Sequence, residues 1–130
     1  MTTPFFCLLI AVLIPYVLSG VGGYYRTRQF GALDNENPRQ QQAALEGVGA
    51  RIQAAQDNAR EALPVFTAAV VVAHLAGVDP ATASTLSVAF ILFRVLHAVC
   101  YAASWATLRS VAFLAGFACC LLLFAQAARV

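Results

Sequence analysis

Five side chains in this sequence have types and spacings that suit joint chemistry: Asn58, Glu61, Arg94, His97 and Tyr101. Arg94, His97 and Tyr101 recur at i, i+3 and i+7, which places them on one stripe of a helix. Phe90 and Trp105 extend that stripe. Asn58 and Glu61 stand at i and i+3, and Arg51, seven residues earlier, falls on the same face. All lie in or beside long apolar runs. A charge inside a bilayer costs about 2.5–3.5 kcal/mol, so such residues turn inward and find partners. Gathered together they would form a polar pocket for a charged molecule at the membrane surface. The same set has a structural reading, in which Arg94 and Glu61 neutralise each other and His97 and Tyr101 complete a network that fixes helix register. No Ser-His-Asp arrangement, phosphate loop or metal-ligand spacing accompanies them. His74 stands alone near the far end of its span and reads as an interfacial or packing residue.

The rest of the chain must position these groups. Of its 130 residues, 61% are hydrophobic and 11% are charged, where a soluble domain carries roughly 25% charged residues. A chain this small cannot hide so much apolar surface from water. Eight arginines against six acids give a net charge of +2, too weak and scattered for a nucleic-acid surface. Cys7, Cys100, Cys119 and Cys120 lie within apolar runs without C-x-x-C spacing, and read as small core or lipid-facing residues.

A membrane-spanning helix needs about 20 mostly apolar residues. Four such spans are predicted, at 4–25, 59–78, 81–106 and 110–128, giving an all-α integral membrane protein with a four-helix bundle in a single domain, 1–130. The first span holds Pro15, lacks a basic leader and is too long for a signal peptide core. Gly77-Val78-Asp79-Pro80 is a tight turn, and Thr107-Leu108-Arg109 is another short link. The link 26–58 is long and polar. Its part from Phe30 to Arg39 reads as loop. From Gln40 onward it is rich in Ala, Gln and Glu, so the second helix is predicted to start near Arg39 and project from the membrane before entering it.

Depth follows from helical rise. Counted from the tight turn, Glu61 and His97 both lie about 25 Å away, Arg94 about 20 Å, and Asn58 and Tyr101 about 30 Å. The two polar stripes therefore share a level. Arg26, Arg28, Arg39, Arg51, Arg60 and Arg109 all fall in the first and third links, with only Arg129 opposite. The positive-inside rule then makes both links cytoplasmic and both termini periplasmic or luminal.

The run Asp34-Asn35-Glu36-Asn37-Pro38-Arg39 is followed by Arg51-x6-Asn58-x-x-Glu61-x-x-Pro64-x-Phe66, then Arg94-x-x-His97-x3-Tyr101, then Arg109-Ser110. Over nearly the whole chain this pattern resembles the MAPEG family, membrane-associated proteins in eicosanoid and glutathione metabolism. The Asn-Pro loop is most similar to bacterial members, which implies a bacterial inner membrane. The resemblance implies a homotrimer that binds glutathione between protomers near the cytoplasmic surface and acts on lipophilic small molecules arriving through membrane lipid. It implies that Glu61 meets the glutathione ammonium with Asn58 beside it. Arg26 and Arg51 would approach from the same end, and Arg94, His97 and Tyr101 would line the third-span side. Arg109 would stabilise the thiolate, with the Ser110 hydroxyl after it. Carboxylates suit the planar fork of arginine, and a nearby cation favours thiolate over thiol. The chain departs from glutathione-using members at Ala54 and Asp57, where they carry bases. Three readings stand: a membrane glutathione transferase or peroxidase, a lipid-binding protein of the same fold without chemistry, and a structural membrane subunit.

Overall fold

The computed structural model describes all 130 residues as an all-helical chain. Its helices are α1 (Thr3–Phe30), α2 (Pro38–Ala43), α3 (Gly47–Ala76), α4 (Pro80–Ala102) and α5 (Ala106–Ala127). Helices α1, α3, α4 and α5 are each long and apolar enough to cross a membrane. A helix satisfies its backbone polar groups within the segment, as hydrocarbon requires. The four pack as a bundle, with α1 against α3 and α4, α3 against α4 and α5, and α4 against α5.

The core is built from small side chains and a few large ones. Cys7 and Ala11 of α1 meet Phe66, Ala69, Val70 and Ala73 of α3, Ala83 and Phe90 of α4, and Cys119, Cys120 and Leu123 of α5. Small residues let membrane helices approach closely. The Phe66 and Phe90 rings stack in the middle with centroids 3.9 Å apart and planes 9° from parallel. All four cysteines are buried and free. Only 26 of the 130 residues are buried, and the exposed remainder includes Leu9, Tyr16, Leu92 and Leu114. That apolar exterior suits lipid or further copies of the chain, and not water.

Three expected boundaries change. The third span, expected to run to 106, ends at Ala102, and Thr107-Leu108-Arg109, expected as a link, lies inside the first turn of α5, because the chain turns at Ser104. Helix α1 runs on to Phe30, past the apolar span, because Arg26, Thr27, Arg28 and Gln29 are compatible with helix and Arg28 donates to the Tyr24 hydroxyl at 3.0 Å. The helix expected to start near Arg39 is broken in two. The break falls where Gly47 takes φ 58°, and Gln29 spans it: its Nε2 donates to Ala44 O at 3.0 Å, and its Oε1 accepts from Glu46 N at 3.0 Å. These bonds stabilise a kinked chain between α2 and α3 over a continuous helix. Where the chain resumes as α3, Gly49 lets it approach α1, since an added Cβ would lie 3.1 Å from Tyr25 Cβ.

Specific hydrogen bonds close the turns between the last three helices. At the end of α3, Val78 N donates to Ala73 O and Gly77 N to His74 O, with Gly77 at φ 77°. This is the Schellman arrangement, in which the left-handed position favours glycine. Asp79 then caps α4, accepting from Thr82 N and Thr82 Oγ1, each at 2.9 Å. Those bonds hold its carboxyl below the ordinary aspartate range. Helix α4 ends the same way, with Trp105 N donating to Cys100 O and Ser104 N to Tyr101 O. There, however, Ser104 takes the left-handed position at φ 63°. Trp105 consequently leaves the Arg94 stripe and becomes the residue preceding α5.

Candidate functional site

Helices α3, α4 and α5 converge on a polar cluster at the arginine-rich end of the bundle. Arg94 is 6% exposed and His97 4%, so α4 turns both inward, as the stripe predicts. The partner of Arg94 is Asn58, whose Oδ1 accepts from Nη2. It is not Glu61: the neutralising Arg94–Glu61 pair of the structural reading does not form. Glu61 is exposed, with its carboxylate unpaired by any cation. The one ion pair in the chain joins Arg60 to Asp57 at 3.5 Å, and Asp57 also accepts from Gln53 at 3.0 Å.

A chain of ring contacts continues from Arg94. Its guanidinium carbon lies 5.9 Å from the Phe113 ring centre, and Phe113 lies 6.3 Å from His97. His97 meets Tyr101 edge-on at 5.5 Å, and Arg109 lies 4.4 Å above the Tyr101 ring. Arg109 stands in the first turn of α5, where unsatisfied backbone N–H groups add positive potential. Its guanidinium has no acidic partner. Ser110 returns its hydroxyl proton to Ala106 O at 3.1 Å.

Two adjoining cavities open here. One, of about 160 Å³, is bounded by Asn58, Glu61 and Arg94 and by apolar Val65, Phe90, Phe113 and Phe117. The other, of about 380 Å³, is bounded by Asn58, His97, Tyr101, Arg109 and Ser110. Asn58 and Phe113 belong to both. Seven of the nine expected site residues thus gather around Asn58.

The other two do not join them within one chain. Arg51 donates from Nε to Ala102 O at 3.1 Å. It satisfies a carbonyl at the C-terminus of α4, where the helix leaves such acceptors free and favours a cation. Arg26 lies back along α1, with Nη2 3.8 Å from the position a Gly23 Cβ would take and its buried Nε unpartnered.

A sequence model for the MAPEG family matches residues 3–129. The chain belongs to the MAPEG family. No curated protein gives a significant match. As a MAPEG protein it is an integral membrane protein. Asn58, Glu61, Arg94, His97, Tyr101 and Arg109, which the resemblance singled out, border the cavities just described. The residues that family spacing did not single out are Phe113 and Phe117, which form the apolar wall of the smaller cavity. Their signal was present: Arg109, Phe113 and Phe117 recur every four residues and so share one face of α5.

Proposed function

We propose that this MAPEG protein is a membrane glutathione transferase or peroxidase acting on lipophilic electrophiles, with the Asn58-centred cavities as its site. The observation that carries the proposal is the pair of unpartnered charges. Glu61 has no cation and Arg109 no anion, although both border the same cluster. Free charges of both signs beside apolar walls fit a zwitterion that has carboxylates and an ammonium. Glu61 would take the ammonium and Asn58 would brace it. Arg94, held by Asn58, lends positive potential without needing to move. Glutathione supplies a thiol as the nucleophile when bound. Arg109, at the positive end of α5, would lower the proton affinity of that thiol, because a nearby cation favours the thiolate. Phe113 and Phe117 would receive the apolar co-substrate from the membrane side.

In this proposal the working unit is a homotrimer in a bacterial inner membrane, with the arginine-rich links cytoplasmic. Arg26 and Arg51 would complete the site from the adjoining protomer. The missing bases at Ala54 and Asp57 favour a second reading, a lipid-binding member without chemistry. The engagement of Asp57 with Arg60 and Gln53 weakens that reading, since its charge is already compensated.

Titration of the detergent-purified protein with glutathione, followed by ultraviolet absorbance of the thiolate, tests the assignment. The wild type is expected to bind and to give the thiolate band. In Arg109→Ala the thiol pKa rises by about one unit, a loss of roughly tenfold in thiolate at neutral pH. An unchanged band in that variant overturns the role of Arg109. Failure of glutathione to bind while a fatty acid does so favours the second reading.

A further inference from the structure

The opposite end of the bundle holds a third cavity, of about 290 Å³, between the start of α1, the end of α3, the start of α4 and the end of α5. No Asp, Glu or Arg borders it. Its walls are mostly small or apolar residues, with Val70 and Leu123 deepest, and a few polar side chains reach it: Thr2, His74, Ser84 and Ser87.

Ser87 is the unexpected member. It is 0% exposed, and its Oγ has no hydrogen-bond partner. A serine or threonine within a helix can return its proton to the carbonyl four residues back. Ser84 does so to Pro80 O at 2.6 Å and Thr85 to Ala81 O at 2.9 Å. Ser87, one turn further on, does not. A buried hydroxyl left unpaired costs about 1–3 kcal/mol, a penalty a ligand would remove. Thr2 likewise makes no side-chain capping bond. His74 packs edge-on against Phe5 at 5.0 Å and keeps its ring nitrogens for other partners.

The Ser87 hydroxyl can donate and accept, and the neutral His74 ring carries one donor and one acceptor; the Ser87 proton is the donor left without an acceptor in this cavity. The fitting ligand is therefore uncharged, mostly apolar and equipped with an acceptor oxygen. The cavity has roughly twice the volume of the ~150 Å³ apolar cavity that admits benzene, which suits about a dozen non-hydrogen atoms. We infer that this cavity is a binding site for a neutral lipophilic carbonyl compound, with Ser87 donating to the carbonyl oxygen. It is separate from the Asn58 site. The Phe66–Phe90 stack lies between them, with Ser87 and Val70 each about one turn from its rings along α4 and α3.

The test uses the full chain purified in detergent, with acetylnaphthalene isotope-labelled at the carbonyl and infrared detection of its stretch. The wild type is expected to give a carbonyl band shifted to lower frequency that saturates at one ligand per chain. Ser87→Ala is expected to lose the shifted band and to bind about fivefold more weakly, the loss of one hydrogen bond. Ethylnaphthalene, which lacks the oxygen, should compete more weakly than the ketone by a similar factor. Arg109→Ala should keep the band, so that failure here and failure of the glutathione site are distinguishable. A melting curve shows that Ser87→Ala is folded. Absence of a saturable band in the wild type, leaving water as the only occupant, overturns the proposal. So does a shifted band that persists in Ser87→Ala.

Discussion

The two ends of this bundle are built from the same helices but treat buried polarity in opposite ways. At the arginine-rich end, a guanidinium at 6% exposure is held by Asn58, and free charges of both signs lie beside it. At the other end there is no buried charge, and a neutral hydroxyl is left without a partner. The stacked Phe66 and Phe90 lie between them, within the shared core. The contrast teaches what each end can recognise. A buried guanidinium needs a hydrogen-bond acceptor at all times, so its partner must belong to the protein. A lone hydroxyl costs little enough to wait for a ligand.

Removing a polar partner at each end should break or sharpen the contrast. Asn58→Leu strips the acceptor from Arg94 and leaves its buried guanidinium without that hydrogen bond, with an expected loss of about 2–3 kcal/mol. Reversible unfolding in mixed detergent micelles measures it. Ser87→Ala, with no ligand present, removes an unpartnered group and should raise stability, by up to about 1–3 kcal/mol. Equal losses in the two variants would erase the distinction between the ends.

The turns give a smaller, opposed pair of effects. Gly77→Ala forces a side chain into φ 77° at the arginine-poor end and should cost about 1 kcal/mol. Ser104→Gly relieves the corresponding position at the arginine-rich end, φ 63°, and should gain a few tenths to about 1 kcal/mol. Thermal melting of both variants reads the sign directly.

The weakest expected effect is one of pH at the arginine-poor end. Asp79 has its pKa lowered by the Thr82 bonds, so its contribution is complete above the ordinary aspartate value. It is lost as pH falls below about 4 and through the lowered folded value. Asp79→Asn keeps a capping acceptor and should flatten that dependence. A melting profile between neutral and acid pH that is identical in wild type and variant would remove the role of Asp79.

Much of the Asn58 site was legible because helical rise is fixed and the Gly77–Pro80 turn is tight. Counting from that turn put Asn58 and Glu61 at the level of Arg94, His97 and Tyr101, and the helices hold that register. The partner of Arg94 was not legible. Asn58 and Glu61 are one turn apart on the same face, and the count put Glu61 nearer the level of Arg94. Only packing chooses between them. The break before α3 was hidden for a related reason. Ala- and Gln-rich sequence favours helix locally, but Gly47 turns left-handed at the break, and Gln29, fifteen or more residues away, holds the kinked chain with two hydrogen bonds. Nothing in the spacing of Ser87 distinguishes it from Ser84, because whether a helical serine bonds backward depends on the space beside it.

The sequence by itself determined the class of molecule: four apolar spans, arginines at one end and a polar stripe on the third. These follow from composition and from helical period, which are local. The tertiary structure decided the partners. It gave Arg94 to Asn58, set Arg51 on the end of α4, left Glu61 and Arg109 free, and opened a cavity at Ser87. Those outcomes depend on how three or four helices meet, and side chains distant in the chain compete there for the same few ångströms.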